Sequence, residues 1–202
     1  KVILNRLARL SRQAIGMQAT VLDGLSVQED VAIDGFESFV HSQYWPNNYT
    51  LTVGAESQFL YSCDYAQMRR KGRMTAYQKR KRDKLNARYP IAGKQIEQSF
   101  GRNIGTLLCR WKPDRNMEHR VLNTDEKHEY SRALSRNAAW KAAAWAVHRK
   151  TSSKQRRTVE NPLMAVNYFD REIRKDQANH VRQTVQWSKS VNNSMDRMMI
   201  YE

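Results

Sequence analysis

The 202-residue chain is 40% hydrophobic, enough for one core of ordinary size with a helical appendage, and its 35 Lys and Arg against 20 Asp and Glu give a formal net charge of +15. It has no apolar run of about eighteen residues or more, and its N-terminus lacks a signal peptide's apolar stretch and small-residue cleavage site, so a spanning helix is excluded and a cytoplasmic chain is expected. Cys63 and Cys109 are far apart and without CxxC spacing, which excludes a disulfide framework and a four-ligand zinc site and predicts two plain buried thiols.

Residues 1 to 25 predict an amphipathic helix. Ile3, Leu7, Leu10 and Ala14 recur along one face, which should pack, and Asn5, Arg6, Arg9, Arg12 and Gln13 make the other face basic. The sequence opens inside this pattern at Lys1, so the natural protein is expected to extend upstream. Residues 31–36 (VAIDGF) form an apolar run broken by one acid, the pattern of a buried strand with a carboxylate near its end. Residues 49–53 (YTLTV) and 58–63 (QFLYSC), joined by a turn at 54–57, predict an antiparallel hairpin. Residues 69–84 carry Arg69, Arg70, Lys71, Arg73, Lys79, Arg80, Lys81, Arg82 and Lys84 against Asp83 alone, and offer nothing to a core. They are read as part of a basic insertion at about 67–93.

Beyond it, Ile96, Phe100, Ile104 and Leu107 keep a helical period over 94–108, and 119–124 predicts a strand ending at Asp125. A helix is expected over 126–136. A strand follows at 143–148, where the alanines of 138–146 also suit a helix. After a basic loop with Arg149, Lys150, Lys154, Arg156 and Arg157, a helix should start near Asn161, with Pro162 in its first turn, and run to about Lys175. Three strands, helix, strand, helix, strand, helix is the order of an α/β ribonuclease-H-like fold, a mixed five-stranded sheet with flanking helices.

A surplus of positive charge this large points to a polyanion, because neutralising phosphates releases condensed counterions. No amphipathic helix with exposed bulky apolar residues and no lipidation motif is apparent, so nucleic acid is expected and a membrane is not. The run at 69–84 has few aromatics for stacking on bases, which favours phosphate contact on duplex DNA over single strands.

In that fold the first and fourth strands are neighbours, so Asp34 and Asp125, 91 residues apart in sequence, would meet at the sheet centre. Metal-dependent phosphoryl transfer needs hard oxygen ligands converging on paired divalent ions, and rigid strand ends suit them. The plainer alternative makes Asp34 a turn acid before Gly35 and Asp125 a helix N-cap. A third ligand is expected on the last helix, where periodicity does not choose among Glu160, Asp170 and Glu172. His128 follows Asp125 closely enough to reach a phosphate or a metal, although a helix-surface position is the commoner use. Trp111, Trp140, Trp145 and Trp187 are expected as core or subunit contacts.

The stretches 31–39 (VAIDGFESF), 69–75 (RRKGRMT) and 124–130 (TDEKHEY) resemble bacterial insertion-sequence transposases with an acidic catalytic triad, and the likeness spans nearly the whole chain. It implies a transposase cleaving and transferring double-stranded DNA at element ends and target, with two Mg2+ (or Mn2+) ions, as a homo-oligomer in the bacterial cytoplasm near the nucleoid. It also implies that residues 1–27 end an upstream DNA-binding region, with Arg6 and Arg9 reading DNA, and that 28–202 form the catalytic domain. Related enzymes carry a glutamate and, three residues later, an asparagine on the last helix, before a segment ending Ser-Lys-Ser. Ser188, Lys189 and Ser190 match that ending. Counting back puts Asn167 at the glutamate's place and Asp170 at the asparagine's, so the two are exchanged. Asp34, Asp125 and Asp170 are thus expected as catalytic metal ligands, with Asn167 and His128 in support. Glu160 is the alternative, because its 35-residue separation from Asp125 is a familiar transposase spacing. Arg69, Arg70, Lys71, Arg73, Lys79, Arg80, Lys81, Arg82, Arg156 and Arg157 are expected to hold DNA.

Overall fold

Val31, Ala32 and Ile33 are fully buried because the strand they open, β1 (Val31–Phe39), lies at the middle of a sheet covered on both faces. In the computed structural model, which describes residues 2–113, 119–181 and 186–201, the other strands are β2 (Pro46–Gly54), β3 (Leu60–Gln67), β4 (Arg120–Asp125) and β5 (Ala146–Thr151). Their order is β3-β2-β1-β4-β5. β1 and β2, and β2 and β3, pair antiparallel, whereas β4 lies parallel to both β1 and β5. The fold is therefore α/β, with a mixed five-stranded sheet flanked by helices.

The period of two along β1 separates two cores. Val31 and Ile33 face Phe100, Ile104 and Leu107 of α3 (Gln95–Leu108) and Tyr130, Ala133 and Leu134 of α4 (His128–Arg136). Ala32 and Phe36 face Ala165, Val166 and Ile173 of α6 (Met164–Asp176) and Met198 of α7 (Val191–Tyr201). Asp34 falls in the second series, on the side covered by α6. Trp111 closes the first core, with its indole N–H donating to the Glu29 carbonyl at 2.8 Å, and it packs against Trp140 and Trp145. Trp187 packs on Phe39. The Glu29 carboxylate ties down the β2–β3 turn, accepting from the Glu56 and Ser57 amides, the Ser57 hydroxyl and the Tyr61 hydroxyl.

Several expectations need correction. Residues 76–88 form a helix, α2 (Ala76–Arg88), where only a polar basic stretch was expected. It has no apolar face and no buried residue, so apolar periodicity could not find it; Thr75 and Gln78 start it by capping each other's backbone amides. The alanine-rich stretch divides into a short helix, α5 (Ala138–Ala142), and β5. The last expected helix begins at Met164, because the Asn161 side chain accepts from the Leu163 amide and holds Pro162 in a turn. Cys63 is half-buried, but Cys109, at the end of α3, is exposed.

The first helix, α1 (Val2–Leu22), is present, with Lys1 outside the described residues. It packs against α7 and buries Ser11 and Leu22, yet part of the apolar stripe expected to pack is uncovered: Ile3 is 80% and Leu10 51% exposed. The expectation of no helix with exposed bulky apolar residues is thereby overturned. A helix as short as α7 covers only one edge of α1. Among the described residues, no helix is long and apolar enough to cross a membrane.

Candidate active site

The parallel register of β1 and β4 sets Ile33 against Thr124, so Asp34 and Asp125 follow as the next residues on adjacent strands. Both carboxylates are largely covered, with side-chain exposures of 18% and 15%. Between them stands the ammonium group of Lys127, 3.2 Å from Asp34 Oδ1 and 3.4 Å from Asp125 Oδ2. The buried Tyr130 hydroxyl donates to Asp34 Oδ1 at 3.4 Å, and the Gly35 amide donates to the same oxygen at 2.6 Å. The Lys127 amide donates to Asp125 Oδ1 at 3.0 Å, but Lys127 itself holds the N-cap position of α4 and no side chain caps that helix, so Asp125 is not the N-cap of the plainer sequence alternative.

Asp34 opens onto a cleft of about 530 Å³ whose lining includes Glu37, Lys127, Arg157, Asn167, Asp170, Arg171 and Arg174. Asp170 comes from α6, and its Oδ1 is buried without a hydrogen-bond partner among the described residues. Burial first, and then the charge of Asp34, push its pKa up to about 7 against the pull of Arg174, Lys127 and Arg157. Asp125 is also raised, first by burial and then by Asp34, with Lys127 opposing. Burial disfavours the Lys127 ammonium, but Tyr130, Asp34 and Asp125 outweigh it and its pKa is raised.

The fold thus sets Asp34 beside Asp125 across the two strands and beside Asp170 and Asn167 in the cleft, whose lining does not include Asp125. Glu160 is exposed in the loop before α6 and is not part of the cleft lining; Glu172 pairs with Lys175 at 3.1 Å. His128 is exposed on the first turn of α4, also away from the cleft lining. Ser188 is buried, and its carbonyl accepts from the His41 amide at 2.7 Å. Lys127, Tyr130, Arg171 and Arg174 were not anticipated. Lys127 and Tyr130 lie within the stretch 124–130, two and five residues beyond Asp125, but their roles depend on β1 lying beside β4.

Three carboxylates are a donor set suited to hard divalent cations such as Mg2+, and Asp170 Oδ1 is left without a hydrogen-bond partner among the described residues. As they stand, no three or more His, Cys, Asp or Glu side chains among the described residues are grouped closely enough to hold a metal ion. Lys127 meets the charge of the Asp34–Asp125 pair instead.

The basic residues lie apart from the core. Arg6 and Arg9 are exposed on α1, Arg69, Lys71 and Arg73 on the segment before α2, and Lys79, Arg80 and Lys81 on α2, with Arg70 and Arg82 half-buried. Arg70 and Lys81 both stand over the Tyr44 ring, at 4.8 and 5.1 Å from its centroid, which anchors α2 to the sheet domain. Arg156 and Arg157 are exposed in the loop between β5 and α6, and Arg157 reaches the cleft. Comparison with protein-family models, curated proteins and solved structures finds no match for this chain.

Proposed function

We propose that this chain is the catalytic region of a DNA transposase with a ribonuclease-H-like fold, cleaving and joining double-stranded DNA. One observation carries the reading: Asp34, within β1, lies beside Asp125 at the end of the adjacent β4, and Asp170 of α6 lines the same arginine-walled cleft as Asp34. Asp34, Asp125 and Asp170 would hold Mg2+ or Mn2+, which when bound activates an attacking hydroxyl and stabilises the leaving oxygen of a phosphodiester. The chain's own groups position the substrate. Arg157 and Arg171 are placed to take phosphate oxygens, and the basic surface of α2 and residues 69–73 to hold the duplex further away. Asn167 offers a neutral amide beside the acids. Residues 1–27 would end a DNA-binding region preceding the catalytic one, and the working form on DNA would be a homo-oligomer in the bacterial cytoplasm.

The test is incubation of purified protein with duplex DNA bearing element ends, with and without Mg2+, scoring nicked and joined products. Asp34→Asn and Asp125→Asn should abolish both products and leave salt-sensitive DNA binding intact; full activity in either variant counts against the proposal. Hydrolysis without joining would identify a nuclease. The bridging Lys127 favours a second reading, a DNA-binding protein in which the Asp34–Lys127–Asp125 group is structural. Binding without any product, in a protein that takes up no Mn2+, would select it.

A further inference from the structure

We infer that Lys127 is a built-in counter-cation for the Asp34–Asp125 pair, competing with divalent ions for the two carboxylates and so setting the affinity of the metal site. The inference rests on the proposed role of those aspartates as metal ligands. Its basis is geometric: one ammonium contacts one oxygen of each carboxylate, at 3.2 and 3.4 Å. Two half-buried anions on neighbouring strands would otherwise repel one another without solvent to screen them. An ion shared by Asp34 and Asp125 needs the same oxygens and the space between them, so the ammonium and the ion exclude each other.

The residue is built for exchange. Its backbone is fixed, since its amide donates to Asp125 Oδ1 and it immediately precedes α4. Its side chain is 28% exposed and forms part of the cleft lining. Withdrawing the ammonium therefore requires rotation about side-chain bonds, with no change in the strands. The Tyr130 hydroxyl, 3.4 Å from both Lys127 Nζ and Asp34 Oδ1, keeps one donor on Asp34 when the lysine leaves. In the metal-free protein Lys127 holds the carboxylates converged, and on metal entry it turns towards the cleft.

The experiment measures Mn2+ binding to the full chain by calorimetry, together with melting temperature with and without Mn2+, for wild type, Lys127→Met, Lys127→Gln and Asp34→Asn. The expected result is Mn2+ affinity about tenfold or more higher in Lys127→Met, with a lower melting temperature in the absence of ions and a gap to wild type that closes at saturating Mn2+. Lys127→Gln keeps a neutral donor and should also bind more tightly, which covers the case in which the methionine variant does not fold. Unchanged or weaker Mn2+ binding in the foldable lysine variants, while wild type binds and Asp34→Asn does not, overturns the inference alone. Absence of Mn2+ binding in all four proteins, or wild-type binding in Asp34→Asn, overturns the inference and the metal-dependent function together.

Discussion

Gly35 follows Asp34 where the Asn48 side chain lies against the backbone of β1. A Cβ there would fall on the Asn48 amide, with Asn48 Cγ 2.9 Å away, and Asn48 is fully buried with its Oδ1 accepting from Thr50 at 3.2 Å. Gly35→Ala must push Asn48 aside, and since Gly35 also donates to Asp34 the disturbance reaches the candidate site. The expected cost is about 1–3 kcal/mol, read as a lower urea midpoint with an unchanged slope. At this scale the sequence was informative about the acids and silent about their neighbour. Asp34 stood out as a single acid interrupting an apolar run, and Asp125 as the acid that ends the strand predicted at 119–124. Lys127 is one of 35 basic residues, and nothing local distinguishes it.

At the scale of elements, α2 joins the domain without sharing its core. Its start depends on the reciprocal Thr75–Gln78 cap, and its side chains are exposed or half-buried. Thr75→Ala should cost about 1 kcal/mol locally. Hydrogen exchange at the α2 amides is expected to quicken while the global unfolding midpoint stays within error. If α2 lies along DNA as proposed, Lys79→Glu with Arg80→Glu should weaken binding, and the slope of log affinity against log salt should shrink by about 0.9 for each phosphate no longer neutralised. An unchanged slope would remove α2 from the DNA surface. The capping signal was present in the sequence, but a reading built on apolar spacing passes over a helix that buries nothing.

For the whole molecule, the second core carries an acid-sensitive group. His180 is fully buried between Phe36 and Tyr49, bonded to the Ser38 hydroxyl at 2.9 Å, and its other ring nitrogen is buried without a partner among the described residues. Burial, and then Arg174 and Arg197, lower its pKa to about 4 from an ordinary 6.5. The unfolded chain therefore takes up this proton more readily than the folded one. The stability linked to neutral His180 is complete above pH 6.5 and is lost as the pH falls through about 4. A shift of this size corresponds to roughly 3 kcal/mol. Urea denaturation at pH 7 and pH 4.5 should show the fall, and His180→Gln should flatten the dependence across that window; an equally steep loss in the variant would assign acid sensitivity elsewhere.

By itself, the sequence determined what depends on neighbours along the chain. The residue pattern marked four strands to within a few residues and left the fifth open to a helix, helical spacing located α3, the start signal at Asn161 and Pro162 located most of α6, and the charge balance made the surface basic. Tertiary structure decided what depends on groups brought from afar. The parallel pairing of β1 with β4 joined Asp34 to Asp125, and the pleat that turned Asp34 towards α6 brought Asp170 into the cleft and left Glu160 outside it. The same packing put Lys127 between the Asp34 and Asp125 carboxylates and left Ile3 and Leu10 of the apolar stripe of α1 uncovered. A side chain's period fixes which face of its own element it occupies. Which element covers that face, and which charge arrives with it, is fixed by packing across the sheet.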